Sequence, residues 1–190
     1  RLAQSLDTDE KGFPAKLRDA IEHPIAPVDI PAADAPVQEV VLTGDNADFT
    51  KLPVHLQHAL DGAPYISAGI DFARDPETGI VNIGCRRLML RGAKSAGIDL
   101  NAPSDLRALY QRVVAKGETL PIAFTVGSHP ADFLAAQAVT PPVDEVHVMG
   151  AIRGAPVPMV KCATIEQSVP ADAEMVLEGY LDPRGLVEPE

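Results

Sequence analysis

Two runs rich in β-branched and aromatic residues, Tyr65–Phe72 and Ile80–Ile83, flank the pentad Asp75-Pro76-Glu77-Thr78-Gly79. Pro76 presets φ for a turn and Gly79 can supply the positive φ needed to leave it, which predicts a hairpin over residues 65–90. A helical period governs residues 104–116, with apolar positions at Leu106, Leu109, Tyr110, Val113 and Val114. Ser104 after Pro103 is an N-cap, and Lys116-Gly117 closes the helix. The continuous apolar run Pro121–Val126 predicts a buried strand, and the Ala-rich stretch Pro130–Val139 a second helix. Val146–Ile152 and Val157–Ala163 read as strands around Arg153-Gly154, and Ala173–Leu181 as a final strand.

The first 23 residues have a helical pattern broken at Gly12-Phe13-Pro14, with a short amphipathic helix over Lys16–Glu22. Pro24, Pro27, Pro31 and Pro36 then mark an extended connector. Val37–Leu42 reads as a strand, Thr43-Gly-Asp-Asn46 as a turn and Phe49–Leu56 as a loop. Strands dominate, without regular βαβ alternation. The expectation is an α+β fold, a mostly antiparallel sheet or barrel with helices outside rather than a doubly wound sheet. Residues 1–36 would be the end of an N-terminal region and its connector, and residues 37–190 one domain.

Composition narrows the function classes. With 16 basic and 27 acidic residues among 190, the net charge is −11, which argues against nucleic acid or an anionic membrane as partner. The longest apolar runs fall short of the ~20 residues that span a bilayer. Two cysteines, Cys85 and Cys162, are too few for a disulfide framework and lack zinc spacing, so buried reduced thiols and a cytoplasmic location are expected. The chain begins at Arg1 and ends in a loop-like segment, and it reads as an excerpt of a longer protein.

The chemistry concentrates in the return strand of the hairpin, which carries Asn82, Gly84 and Arg87. Asparagine is depleted in strands, and a strand glycine marks either a bulge on an exposed edge or a backbone pressed against a ligand. No dinucleotide fingerprint, phosphate loop, zinc-protease motif or serine-nucleophile elbow occurs. His55 and His58 are either loop histidines or a metal pair, and His129 before Pro130 is a helix-entry residue. Glu174 and Glu178 share one strand face and read as structural.

Several blocks carry a resemblance: Pro36-Val-Gln-Glu-Val-Val-Leu42, Thr50-Lys-Leu-Pro53, Gly62-Ala-Pro-Tyr65, Arg74-Asp-Pro-Glu-Thr-Gly79, Asn82-Ile-Gly-Cys-Arg-Arg87, Val160-Lys-Cys162, Val169-Pro-Ala-Asp-Ala-Glu174 and Leu177-Glu-Gly-Tyr180. In order and over most of the chain, they resemble the central part of the UbiD family. These are reversible, non-oxidative decarboxylases that use prenylated FMN. The resemblance implies a split β-barrel related to flavin reductases, and a small aromatic, heteroaromatic or α,β-unsaturated carboxylic acid as substrate. It implies a divalent ion, usually Mn2+, gripping the cofactor phosphate, leaves room for K+, and suggests a homo-oligomer assembled through regions outside this chain.

By the same resemblance, residues Asn82, Ile83, Gly84, Cys85, Arg86 and Arg87 form the cofactor strand. Asn82 and Glu145 would hold the metal, and Asp105 stands where the family has a histidine ligand. Arg87 and Glu190 would belong to a Glu-Arg-Glu catalytic network whose second glutamate lies beyond the chain. Five residues of regular strand put Asn82 and Arg87 on opposite faces, so a bulge is expected to turn Arg87 into the same cavity. Two other readings are a split-barrel FMN reductase using NAD(P)H and a non-catalytic binding or assembly subunit.

Overall fold

Proline is tolerated in the first turn of a helix, where its missing N–H has no helical acceptor. Helix α1 (Phe13–Glu22) begins with Pro14 in that position, in a computed structural model that describes residues 3, 6, 8–138 and 143–184. Inside the proline-rich segment, β1 (Val28–Asp29) lies parallel to β6 (Pro158–Lys161), which also pairs antiparallel with β7 (Ser168–Pro170). The sequence contains no signal for so short a strand, because only its partner defines it.

The predicted hairpin is present. β2 (Tyr65–Arg74) and β3 (Val81–Leu90) are antiparallel, and Gly79 leaves the turn at φ 75°. With β4 (Ala96–Gly97), β5 (Leu120–Val126) and β8 (Met175–Leu181) they form a curled, antiparallel half-barrel in the order β4-β3-β2-β5-β8. Helix α2 (Asp105–Ala115) starts as predicted, with the Ser104 hydroxyl accepting from the Arg107 amide. Its Leu106, Leu109, Tyr110 and Val113 cover one sheet face, against Ile66, Ala73, Leu88, Ile122 and Phe124. The other face, with Ile70, Phe72, Val81, Ile83 and Ala123, packs on the second core. That core takes in α3 (Pro130–Ala135), α4 (Glu145–Arg153) and the small sheet.

Two apolar runs do not form the predicted strands. Residues 36–38 make a 3-10 turn led by Pro36, and Val40, Val41 and Leu42 stand 71%, 51% and 62% exposed with no strand partner among the described residues. Val146–Ile152 is helical. Asp144 caps it by accepting from the Val146 amide, and Gly154 closes it at φ 78°. Val146, Val148, Met149, Gly150 and Ile152 are all buried, so the helix has no polar face and its pattern imitates a strand. The α3 helix stops at Ala135, short of the predicted Val139, and residues 139–142 lie outside the described set.

Gly150 lets the chain pass close to α4. A Cβ there would lie 2.6 Å from the Ile25 carbonyl oxygen, whose residue donates its own amide to His147 O. Gly150→Ala gains helix propensity but must push backbone against backbone. The variant is expected to be ~1–3 kcal/mol less stable, read as a lower urea midpoint at unchanged slope.

Candidate functional site

The N–H groups on the outer edge of β3 meet the start of α4. Val81 N–H donates to Asp144 Oδ2 at 3.4 Å, and Ile83 N–H donates to Glu145 Oε2 at 2.6 Å. The side chain of Asn82, between them, donates through Nδ2 to the same Glu145 Oε2 at 3.2 Å. Asn82 Oδ1 is then left buried with no hydrogen-bond partner. Asp105, the first residue of α2, is close enough for its charge to act on Glu145. The N-terminus of α4 therefore meets Asn82 and contributes a partial positive charge, with the first residue of α2 within electrostatic reach of Glu145.

Burial is the main influence on Glu145, raising its carboxyl to about 7, with the charges of Asp105 and Asp144 adding to the rise. An acid held that high by lost hydration and like charges is short of a cation. Among the described residues no three His, Cys, Asp or Glu side chains come together as a metal centre, so an ion at this place would have to count the Asn82 amide among its donors. The orphaned amide oxygen and the Glu145 carboxylate suit a hard divalent ion, and Asp105 is the other carboxylate whose charge acts most on Glu145.

Register decides where the arginines point. β3 pairs residue by residue from Val81 to Arg86, so Asn82, Gly84 and Arg86 share one face and Arg87 leaves on the other. A bulge does occur, but on β2, where Ser67 and Ala68 oppose Arg87 between the Ile66–Leu88 and Gly69–Arg86 pairs. It sits in the partner strand and does not rotate Arg87 toward Asn82, which corrects the expected common cavity. The Arg87 guanidinium lies 5.1 Å from the centre of the Tyr65 ring, a cation–π distance. Glu190 lies outside the described residues.

Sequence reasoning missed Asp71, although an aspartate inside the apolar run Gly69-Ile-Asp-Phe-Ala73 was a signal. Its side chain is fully buried and its Oδ1 lies 3.2 Å from Arg86 Nε, without an aligned hydrogen bond. Burial lifts Asp71 to about 7 against the lowering pull of Arg86. Gly84 makes the room: a Cβ there would stand 3.0 Å from Asp71 Oδ1.

The other candidates are structural. Cys85 and Cys162 are half-buried free thiols, less enclosed than predicted. Burial raises both, with Cys162 at about 12, so neither is a thiolate nucleophile. His55 and His58 are exposed, and His129 caps α3 by accepting from the Ala131 amide. Glu178 accepts from the Ala163 and Thr164 amides, tying the loop after β6 to β8. An apolar groove of about 620 Å3, between residues 37–49 and β8, lies apart from Asn82.

Comparison with known proteins identifies the family and the fold. Residues 29–190 match the family model of the UbiD 3-octaprenyl-4-hydroxybenzoate carboxy-lyase Rift-related domain. Anhydromevalonate phosphate decarboxylase of Methanothermobacter thermautotrophicus is 35% identical over 136 residues, 71% of this chain and 32% of that protein. Ferulic acid decarboxylase 1 of Candida dubliniensis is 36% identical over 168 residues, 86% of this chain and 33% of that protein. The solved UbiD-class enzyme HmfF of Pelotomaculum thermopropionicum, in complex with FMN, superposes with a TM-score of 0.89 at 38% identity. That match covers 94% of this chain and 40% of HmfF. An evolved dimeric form of the same enzyme, in complex with prFMN, gives the same score. The chain spans about a third of the length of the curated relatives it matches.

Proposed function

The chain belongs to the UbiD family, and from that premise we propose that it is the flavin- and metal-binding part of a non-oxidative decarboxylase. Its substrate is an aromatic, heteroaromatic or α,β-unsaturated carboxylic acid, and it works within a homo-oligomer built through segments outside these residues. The observation that carries this reading is the Asn82–Glu145 contact at the N-terminus of α4, on the hairpin strand that carries the resemblance.

Asn82 Oδ1 and the Glu145 carboxylate would hold a divalent ion, Mn2+ by family preference, and Asp105 would supply a further oxygen in place of imidazole. Bound there, the ion would supply, with the α4 N-terminus, positive charge for the dianionic phosphate of a flavin, which four nearby carboxylates (Asp71, Asp105, Asp144 and Glu145) would otherwise repel. Ile83, Gly84, Cys85 and Arg86 continue the flavin strand. A bound prenylated FMN supplies the electron sink that lets CO2 depart. By the resemblance alone, Arg87 would orient the substrate carboxylate through its planar fork and its cation would keep Glu190 ionised, although it leaves β3 on the face opposite Asn82. Heavier involvement of NAD(P)H oxidation than of CO2 exchange would instead mark a flavin reductase.

The test is linkage between ion and flavin. FMN affinity, followed by quenching of flavin fluorescence, should fall at least ~10-fold when Mn2+ is removed with a chelator, a coupling of ordinary size. Mn2+ itself needs ionised Glu145. Its affinity should therefore rise as pH climbs toward about 7, by roughly tenfold per pH unit below that point, and level above it. In metal-free protein the sign is opposite for stability. A carboxyl at about 7 instead of 4.5 binds more protons folded than unfolded, so stability drops as pH rises between those values. Flavin binding indifferent to the chelator would remove Asn82 and Glu145 from the site.

A further inference from the structure

The cation that shares a face with Asn82 is Arg86, not Arg87. Resting on the flavin reading above, we propose that Arg86 is a flavin-ring recognition residue and that Asp71 is the positioning residue that aims it.

Four observations carry this. Asn82 and Arg86 are four residues apart on a regular strand, about 13 Å at the usual rise, so a flavin held by its phosphate at Asn82 has its ring system near Arg86. The residue between them on that face is Gly84, and Gly69 is the cross-strand partner of Arg86. A Cβ on Gly84 would come within 3.4 Å of Arg86 Nη2, so its absence clears the ground around the guanidinium, while the missing Cβ of Gly69, which would stand 2.9 Å from Arg86 O, lets the two strands approach there. Arg86 makes one charged contact among the described residues, Nε to Asp71, and that nitrogen is buried with no aligned hydrogen bond. Asp71 in turn is fully enclosed, with both oxygens lacking a hydrogen-bond partner.

A buried, imperfectly bonded ion pair is poor value as a stabilising device, because desolvation offsets its attraction. It makes sense as a fixed cation awaiting a ligand. The N1–C2=O edge of a flavin gathers negative charge when electrons enter the ring: FMN takes up two electrons and one proton to give the anion FMNH−. A guanidinium beside that edge favours the anion over neutral FMN and would do the same for charge arriving from a substrate losing CO2. Asp71 holds the plane of the fork, so a lysine, with its freely turning ammonium, is a poor substitute.

The experiment is a redox titration of Mn2+- and FMN-loaded protein with dithionite, giving the ratio of affinities for FMNH− and FMN. Arg86→Gln should lower that ratio at least ~10-fold, equal to about 30 mV for two electrons. Arg86→Lys should lower it less, and Asp71→Asn should lower it while leaving the affinity for oxidised FMN within ~3-fold. If all three variants change only the melting temperature and keep the wild-type ratio, the pair is purely structural and the proposal is overturned. Wild-type protein that binds no FMN even with Mn2+ overturns the flavin reading, and this assignment with it.

Discussion

Arg87→Ala, made in the complete, flavin-loaded protein, is expected to leave the half-barrel folded and to cut decarboxylation at least ~100-fold, the lower range for a lost positioning group. The side chain emerges opposite the β2 bulge and rests on the Tyr65 ring, so little of the hydrophobic core depends on it. Losing the cation–π contact costs about 1 kcal/mol or less at such a site. The fork is the part with chemical value. A guanidinium grips a carboxylate through two parallel hydrogen bonds and fixes its plane, whereas an ammonium offers a point charge. Arg87→Lys should therefore recover little activity. Single-turnover CO2 release, measured beside flavin content, separates lost chemistry from lost cofactor. Near-normal turnover in either variant would make Arg87 a structural residue.

The largest stability effect is expected at Arg153. Its Nε and Nη2 donate to the two oxygens of Asp132 at 2.7 and 2.6 Å, and Nη1 donates to Asp172 at 2.7 Å. The pair joins the end of α4 to α3, and the Asp132 side chain has no solvent exposure. Burial raises Asp132 despite its partner, and although burial also opposes the Arg153 charge, the two aspartates hold that arginine above its usual range. Arg153→Met strands the Asp132 carboxylate in the core and should cost ~3–5 kcal/mol, seen as a large drop in the urea midpoint. Adding Asp132→Leu removes the stranded charge and should recover much of the loss. A single variant within ~1 kcal/mol of wild type would show that water reaches this pair.

What the chain revealed in one dimension follows from how local each signal is. The hairpin and α2 were legible because Pro76, Gly79 and Ser104 act within a few residues and the apolar period of α2 has a polar complement. Val40–Leu42 and Val146–Ile152 were misread for opposite reasons: the first run is exposed and without a ladder partner among the described residues, and the second is a helix buried on nearly every side. The strand that carries Asn82 could be located, but its pleat could not. The residue that breaks register belongs to β2, and nothing in Asn82–Arg87 records it. Asp71 meets Arg86 only through strand pairing, so their contact had no linear trace beyond a charge in an apolar run.

Glu145 also guards a sheet edge. The outer N–H groups of Val81 and Ile83 would be open to an invading strand from another molecule if Asp144 and Glu145 did not occupy them. A variant such as Glu145→Ala thus exposes a template for self-association at the moment it removes a ligand oxygen. Poor soluble yield from that variant would report on strand-to-strand aggregation before it reported on catalysis. Glu145→Gln keeps an oxygen for the Ile83 amide while removing the charge, so it separates the colloidal behaviour of the protein from its chemistry.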